Sequence, residues 1–387
     1  MKIVDGKNQK GYNEAMLDLD VNGVVLRVNS KTLGDIGEKT VLGKTLAEWA
    51  GNAIGVSYTV AEGSQVINLA DTFKRTLDRT KQVTVVLYCD TPLVTPATIS
   101  AAVEAVRSGS GNVMRLPRGF VFKTEYLFST DSLYLQAVPA DREFDTVTDG
   151  ESLSRITDVL RRRILRYHAA NGVNIPDFSN VYIDSDVVIE RGATIEPYNF
   201  IKGRTLIKSG ALIKPGNYIE NCIISSDAKV DSSRLYDSSV GAGTTVGPFA
   251  YLRPNSVVGE NCRIGDFVEL KNCIIGNGTK VSHLSYVGDA ELGAECNVGC
   301  GVVFVNYDGK NKHKSIVGRR VFIGSNSNII APVTISDGSF IAAGSTVTDS
   351  VPAHALAIAR SRQTIKPNWQ GNLYAPPIIN VSDGDGN

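Results

Sequence analysis

Aliphatic residues recur at every sixth position through much of the second half of the chain. The first run consists of isoleucines alone, evenly spaced from Ile183 to Ile219. The phase slips and then resumes from Val240 to Leu270, and again from Ile323 to Val347. A period of six is neither the helical period of 3.6 nor the two-residue alternation of a half-buried strand. It is the hexapeptide repeat of a parallel β-helix.

The repeat predicts how this half of the chain is built. Six residues form one short strand and its corner, three such sides close a triangular coil, and each spaced aliphatic residue points inward, so that stacked coils bury one another. About nine coils fit between residues 180 and 350. The rhythm fails between Phe304 and Ile316, where the insert VNYDGKNKHKS is polar and basic. We expect this insert to leave one corner as a loop, the kind of segment on which functional residues concentrate.

The first half of the chain shows the patterns of a small α/β domain, which we expect over residues 1–148. Residues 83–88 form an apolar strand, and residues 97–106 have helical spacing. Asp90 lies two residues beyond the end of this strand, at the place where α/β proteins position ligands or metals. A linker helix is predicted over 149–172, with Asp149 as its N-cap. Its arginine cluster at 161–163 favours a solvated or interdomain helix face over a phosphate site.

Composition narrows the classes of function. The chain has 387 residues, 42% hydrophobic and 21% charged, which allows two globular domains. Forty Lys and Arg balance forty Asp and Glu, so the charge gives no reason to expect nucleic acid or a membrane surface as a partner. The sequence shows neither an apolar stretch of membrane-spanning length nor a signal-peptide core, which predicts a cytoplasmic protein. Six cysteines without a CxxC pair predict free thiols.

Several motifs between residues 181 and 360 carry a resemblance to a known family. They are GPFAYLRP (247–254), DFVELKN (266–272), SHLSYVGDAELG (282–293), NVGCG (297–301), VNYDGKNKHKS (305–315), FIGSN (322–326), IAAGSTVT (341–348) and ALAIAR (355–360). This half resembles the acetyltransferase half of the bifunctional N-acetylglucosamine-1-phosphate uridylyltransferase / glucosamine-1-phosphate N-acetyltransferase family.

The resemblance implies a fold and an activity. The fold is mixed: a left-handed parallel β-helix over 180–360, preceded by a reduced nucleotidyltransferase-like α/β domain and followed by a tail over 361–387. The implied activity is acetyl transfer from acetyl-CoA to glucosamine 1-phosphate, which supplies UDP-N-acetylglucosamine for cell-wall precursors. The implied assembly is a homotrimer in which neighbouring subunits build each active site.

The family's functional positions map onto residues of this chain. His283 takes the place of the general base, a role that suits imidazole because its pKa lies near neutrality. Glu269 is assigned to orienting the sugar or the base. The positions that hold glucosamine 1-phosphate are Arg253, Lys271, Tyr286, Asn297 and Lys312. Those that contact acetyl-CoA are Cys300, Asn306, Tyr307, Ser325, Ala343 and Arg360. At Cys300 the family usually has alanine, and we expect its backbone contact to persist.

The N-terminal half departs further from the family. The segment LYCDTPL (87–93) resembles one in which the aspartate, here Asp90, binds Mg²⁺. The glycine-rich phosphate loop of the family has no counterpart in residues 1–60, residues 64–68 replace the uridine-reading segment, and Thr148 or Asp149 stands where the second metal ligand belongs. We therefore expect the uridylyltransferase activity to be lost, with Mg²⁺ needed only if this half is active.

Other functions fit the same scaffold less well. A γ-type carbonic anhydrase needs three histidines on zinc, and only His283 and His313 lie in the right region. Related O-acetyltransferases and tetrahydrodipicolinate acyltransferases lack the phosphate set of Arg253, Lys271 and Lys312. A non-catalytic scaffold or regulatory subunit, or an enzyme that is still bifunctional, stays open as an alternative.

Overall fold

The computed structural model describes residues 20–62, 77–129 and 138–367. Segment 64–68 and the tail from 368, on both of which the sequence made predictions, lie outside the described residues. The strands of the N-terminal part are β1 (Val21–Arg27), β2 (Asn29–Ser30), β3 (Gly34–Asp35), β4 (Thr40–Val41), β5 (Lys44–Thr45), β6 (Tyr58–Glu62), β7 (Val83–Tyr88), β8 (Val113–Leu116) and β9 (Gly119–Lys123). The helices are α1 (Leu46–Ile54), α2 (Pro96–Ser108), α3 (Thr124–Ser129) and α4 (Gly150–Ala170), with a 3₁₀ turn at Arg142–Phe144.

A five-stranded mixed sheet organises the N-terminal part. Its order is β6-β1-β7-β9-β8, in which β6, β1 and β7 run parallel and the β8–β9 hairpin runs antiparallel. The apolar strand predicted over 83–88 is confirmed as β7, and the predicted helical run lies within α2. Thr95 accepts a hydrogen bond from Thr98 N, and Pro96 opens the first turn of α2, which fixes where this helix begins.

Helix α4 joins the two halves of the molecule. Asp149 caps it as predicted, accepting a hydrogen bond from Ser152 N. Arg161 is buried and donates to the carbonyl of Val181 at 3.3 Å, and Arg163 donates to the carbonyl of Leu93 at 2.6 Å. These two members of the basic cluster therefore tie the helix to the chain on either side of it.

The second half forms a β-helix with three flat faces. The first face holds Val181–Ile183, Asn199–Lys202, Tyr218–Glu220, Arg234–Tyr236, Tyr251–Leu252, Glu269–Lys271, Tyr286–Gly288, Val303–Val305, Asn328–Ile330 and Thr346–Val347. The second holds Val188–Ile189, Leu206–Ile207, Ile223–Ile224, Ser239–Val240, Val257–Val258, Ile274–Ile275, Ala290–Leu292, Ser315–Val317 and Val333–Ile335. The third holds Thr194–Ile195, Leu212–Ile213, Lys229–Val230, Thr245–Val246, Arg263–Asp266, Lys280–His283, Asn297–Val298, Phe322–Ile323, Phe340–Ile341 and Leu356–Ala357.

The hexapeptide prediction is confirmed, and so is the fold class: a left-handed parallel β-helix of about ten turns after an α/β domain. Every strand pair of the three faces is parallel, and equivalent aliphatic residues stack in register, as Ile183 does on Ile201 and Ile201 on Ile219. Each of these three is fully buried. The division into domains at the residues named above stays a prediction.

The six cysteines, all within the described residues, are free, as predicted, and Cys300 alone among them is exposed. Burial raises the pKa of the Cys89 and Cys273 thiols to about 12, so these two behave as small apolar side chains.

Within the part of the chain that the structure describes, no helix is both long and apolar enough to cross a bilayer.

Candidate active site

One corner of the β-helix, where the third face turns into the first, carries a column of functional candidates. Asp266 and His283 are Cα partners in adjacent coils, and the continuing register stacks Cys300 in the next coil. Asn326 N donates to the carbonyl of Cys300 at 2.8 Å, and Gly344 N donates to that of Ser325 at 2.8 Å, so the same corner continues upward. Successive coils therefore line up His283 with the predicted coenzyme-contact positions Cys300, Ser325 and Ala343.

His283 has a partner that the sequence did not single out. Its Nδ1 lies 2.7 Å from Oδ1 of Asp266, and both side chains are about half exposed. The hydrogen bond from His283 holds the pKa of Asp266 below its usual value, so the carboxylate stays charged at neutral pH. An ionised acceptor at Nδ1 places the imidazole proton there and leaves Nε2 as the basic nitrogen. The signal in the sequence is the 17-residue separation, which is one coil.

The first face next to this corner carries the predicted sugar-phosphate residues. Glu269 and Lys271 project outward from one strand because the residue between them, Leu270, points into the core. Arg253, one coil below, donates through Nη1 to Oε1 of Glu269 at 2.8 Å. This hydrogen bond raises the pKa of Arg253. Glu269 therefore contacts Arg253 directly, and its role in orienting the sugar or the base stays a prediction.

Tyr286 crosses the first face towards the inserted loop. Its strand partner on one side is Glu269, and Gly288 follows two residues later. A Cβ at Gly288 would lie only 2.3 Å from the hydroxyl oxygen of Tyr286, so the ring has room there because position 288 is glycine. The hydroxyl reaches Asn306 Nδ2 at 3.5 Å. Burial raises the pKa of this phenol, which stays protonated at neutral pH.

The predicted loop is confirmed between the strand Val303–Val305 of the first face and Ser315–Val317 of the second. Its fold is set by Asp308, which accepts hydrogen bonds from Lys310 N at 2.7 Å and Asn311 N at 2.6 Å. The second carboxylate oxygen lies 2.7 Å from Nε2 of His313. These bonds hold the pKa of Asp308 far below its usual value. A β-bridge between Tyr307 and Lys312 closes the loop.

The closed loop brings Lys312 beside Lys271. The Lys312 ammonium lowers the pKa of Lys271, because two like charges at short range disfavour each other. Burial acts to raise the pKa of Asp289, but hydrogen bonds from Asn272 and Asn306 and the two lysines outweigh it, and the pKa is lowered. Asp289 thus balances one of the two positive charges. Asp289 lies in the motif over 282–293 but is not among the site residues predicted from the sequence.

The structure does not bring all the predicted residues together in one protomer. Asn297 pairs with Lys280 and Phe322 on the third face, away from the first-face cluster. Of the predicted coenzyme contacts, Asn306 and Tyr307 lie on the loop at the far edge of the first face. Cys300, Ser325 and Ala343 lie at the His283 corner. The Arg360 side chain lies in the last coil, next to Gly344, which follows Ala343.

Asp90, the predicted metal ligand of the N-terminal part, is engaged with an arginine. Both carboxylate oxygens of Asp90 accept hydrogen bonds from Arg118, from Nε at 3.2 Å and from Nη2 at 2.8 Å. Asp90 is only 2% exposed, so a metal ion at its oxygens would have to displace the guanidinium of Arg118. Among the described residues, His, Cys, Asp and Glu side chains form no group of three or more suited to a metal. Asp90 is therefore paired with an arginine in this structure, and its assignment as a Mg²⁺ ligand stays a prediction.

The β-helix is similar in sequence to hexapeptide-repeat transferases. The family model described as GMPPB C-terminal domain matches residues 236–306, and the one described as bacterial transferase hexapeptide (six repeats) matches residues 314–349. The bifunctional protein GlmU of Clostridioides difficile is 52% identical over 217 residues, which are 56% of this chain and 47% of the relative. That of Clostridium perfringens is 55% identical over 223 residues, 58% of this chain and 49% of the relative.

The matched 217 to 223 residues are thus similar in sequence to about half of each of these GlmU proteins. The chain spans about half the length of these curated GlmU relatives. Among solved structures, the UDP-N-acetylglucosamine acyltransferase from Campylobacter jejuni has 17% identity and a TM-score of 0.31, covering 46% of this chain and 71% of its own. The corresponding enzyme of Bacteroides fragilis has 18% identity and a TM-score of 0.30, covering 46% and 69%.

Proposed function

We propose that this protein transfers the acetyl group of acetyl-CoA to the amine of glucosamine 1-phosphate, giving N-acetylglucosamine 1-phosphate for the synthesis of UDP-N-acetylglucosamine and cell-wall precursors. The observation that carries the proposal is the position of His283. It lies at one end of a cationic first face and at the start of the corner column of Cys300, Ser325 and Ala343. A base is thereby set between a surface suited to an anionic sugar and a corner suited to the acyl donor.

His283 supplies the proton transfer that amine acylation requires. Attack of the amine on the thioester carbonyl forms a C–N bond and develops positive charge on nitrogen. Nε2 of His283 accepts a proton from this nitrogen. The carbonyl then re-forms as the C–S bond breaks and the CoA thiolate leaves. Asp266 stabilises the imidazolium that forms and keeps Nε2 as the accepting atom.

The phosphate of the acceptor explains the crowding of positive charge on the first face. Lys271 and Lys312 lie side by side with Asp289 as their nearby anion, and Arg253 adds a third cation one coil below. Placing lysines together is unfavourable without an anion, and a phosphate dianion offsets that repulsion. Free sugars lack this contribution, so the site favours phosphorylated amino sugars.

We infer that the working enzyme is a homotrimer. Asn297 projects from the third face, whereas Lys271 projects from the first, and the faces of a triangular prism point in different directions. If both contact one sugar, they do so from different protomers packed corner to face. A cyclic trimer supplies three such interfaces.

We infer that the N-terminal part does not make UDP-N-acetylglucosamine from UTP. The pairing of Asp90 with Arg118 supports this, because metal-assisted nucleotidyl transfer needs a carboxylate free to hold the ion. Pyrophosphate release from UTP and N-acetylglucosamine 1-phosphate in the presence of Mg²⁺ would support the bifunctional alternative instead.

The cytoplasmic location also stays a prediction of the sequence.

An acceptor panel tests the proposed reaction. Thiol release from acetyl-CoA is measured with glucosamine 1-phosphate, glucosamine 6-phosphate, glucosamine and an amino-sugar nucleotide. We expect turnover with glucosamine 1-phosphate and a markedly lower kcat/KM with glucosamine. Equal kcat/KM for free and phosphorylated sugars would contradict the phosphate role of the cationic cluster. Failure of every acceptor by an intact trimer would favour the non-catalytic scaffold.

A further inference from the structure

One corner of the β-helix, where the first face turns into the second, repeats one backbone conformation in successive coils. The corner residue has a positive φ, between 42° and 62°, in five coils. These residues are Asn221, Asp237, Asn255, Asn272 and Asp289. Asparagine and aspartate adopt this left-handed conformation more readily than other residues that carry a side chain. The backbone therefore accepts either residue at this corner, and three of the five coils have asparagine.

Asp289 is the buried member of this corner column. It is 9% exposed, whereas the other four corner residues are exposed to solvent. The inserted loop covers it, because the loop runs from the first face to the second one coil above, in the place of the next corner. A carboxylate in such surroundings loses hydration, which is unfavourable unless hydrogen bonds and cations compensate for it. The backbone conformation does not explain why position 289 carries a charge.

Both ends of the inserted loop are bonded to Asp289. At the start of the loop, Asn306 donates through Nδ2 to Oδ2 of Asp289. At its end, Ser315 N donates to the Asp289 carbonyl at 3.2 Å. The other carboxylate oxygen, Oδ1, accepts from Asn272 Nδ2 in the coil below at 2.6 Å. Asp289 thus joins the loop to the coil beneath it, and the position of Lys312 on the loop depends on this junction.

The carboxylate also acts on the two lysines that the loop brings together. The pKa of Lys271 is lowered by Lys312, and Asp289 opposes that shift. The acidic side chains of the neighbouring strands, Glu269 and Glu291, are each paired with another cation. In the described part of the chain Asp289 forms no ion pair with either lysine, and both of its oxygens accept from asparagine amides. The carboxylate therefore reduces the repulsion between the lysines and leaves their ammonium groups available to a phosphate.

We propose that Asp289 is a positioning residue of the acetyl-transfer site, which fixes the inserted loop so that Lys312 lies beside Lys271 for the acceptor phosphate and Asn306 reaches the acyl donor. Asp289 acts on the substrates only through these side chains. The roles of Lys312 and Asn306 rest on the proposed function, whereas the anchoring of the loop does not. An asparagine at position 289 would suit the corner, but it would lack the charge and would turn an N–H donor towards one of the two amides.

The first test measures the loop without any substrate. The loop contains Lys310, Lys312 and Lys314, so trypsin cleavage of the native full chain, with the peptides identified by mass spectrometry, reports how often the loop leaves its anchor. We expect Asp289→Asn to raise the cleavage rate after these lysines about tenfold or more. The matched control, Asp237→Asn, changes an exposed residue at the same corner three coils below and should leave this rate unchanged.

A second variant removes the partner of Asp289 on the loop. Asn306→Ala deletes the amide that donates to Oδ2 and should raise the cleavage rate in the same way. It serves if circular dichroism shows that Asp289→Asn does not fold. The proposal is overturned if cleavage in the loop is unchanged in a folded Asp289→Asn or, where that variant does not fold, in Asn306→Ala.

The second test is a double-mutant cycle on the KM for glucosamine 1-phosphate. Asp289→Asn should raise this KM about threefold to tenfold in the parent chain and less than about twofold in a chain that already carries Lys312→Ala, because it acts through Lys312. Loss of the negative charge alone would lower the KM, since the lysines would then attract a phosphate dianion more strongly. An unchanged or lowered KM, or the same factor in both chains, would therefore overturn the proposal. If the parent chain turns over no acceptor, the proposed function fails, while the cleavage rates still decide whether Asp289 anchors the loop.

Discussion

His283 and Asp266 lie one coil apart at the same corner of the β-helix, with Nδ1 of the imidazole 2.7 Å from a carboxylate oxygen. This contact is a consequence of the coil spacing, since it joins two residues that the chain separates by 17 positions. It turns an exposed histidine into one of fixed tautomer and orientation. In the proposed reaction Asp266 is a positioning residue, because it acts on the substrate only through His283.

Replacing Asp266 tests that role. Asp266→Asn keeps the size of the side chain but lets its amide donate to Nδ1, which moves the imidazole proton to Nε2 and removes the base. We expect kcat to fall about 10- to 10³-fold while KM for both substrates changes little. Asp349→Asn, an exposed carboxylate elsewhere on the β-helix, is the control. A normal kcat for Asp266→Asn would show that the carboxylate does not control the tautomer.

Removing the imidazole should have a larger effect. His283→Ala is expected to lower kcat by about 10²- to 10⁴-fold, the usual contribution of a positioned acid-base group. Binding of acetyl-CoA, followed by fluorescence or calorimetry, should be retained. His354→Ala provides the comparison, since His354 is exposed near the end of the β-helix. Equal kcat for the two variants would exclude His283 as the base.

Lys312 is expected to affect binding more than turnover. Its contact with the sugar phosphate is present in the ground state and in the transition state alike, so Lys312→Ala should raise KM for glucosamine 1-phosphate more than it lowers kcat. Lys310→Ala, two residues earlier on the same loop, controls for a change in loop charge. If the two variants share the same KM, the phosphate contact is assigned wrongly.

Mixed trimers test whether the site spans two protomers. His283→Ala and Asn297→Ala chains are each expected to have low activity. In a random equal mixture, one interface in four then combines an intact His283 with an intact Asn297, so activity should recover to about a quarter of the wild-type value. Light scattering and mass spectrometry check that the mixtures contain hetero-trimers. If such mixtures recover no activity, both residues act within one protomer. If the protein is a monomer in solution, the shared-site model is wrong.

Stability should depend on pH through His168 in helix α4. This side chain is 2% exposed, its Nε2 has no hydrogen-bond partner among the described residues, and burial lowers its pKa from 6.5 to about 4. The unfolded chain therefore binds the proton first as the pH falls below 6.5, and the folded state loses about 3 kcal/mol by pH 4. His168→Phe should remove this part of the pH dependence in urea unfolding, whereas His354→Ala should keep it.

The sequence by itself determined the β-helix. A six-residue period can bury its aliphatic residues only if every strand turns after one hexapeptide, so the buried column from Ile183 to Ile219 follows from spacing alone. The same holds for the loop after Val305, because a polar insert that breaks the period cannot stay inside the coil. Strand β7 and the capped start of α4 were also predictable, since local patterns and Asp149 specify them.

Only the tertiary structure decided which side chains meet. Asp266 reaches His283, and Lys312 reaches Lys271, through the stacking of coils and the closure of a loop, and neither contact has a local signature. Asp90 is a third residue whose partner could not be predicted from the sequence. The β8–β9 hairpin, 28 residues further on, places Arg118 against both of its oxygens, a contact that the motif around Asp90 does not predict. Long-range contacts of this kind depend on how separate segments pack, which the pattern within one segment does not encode.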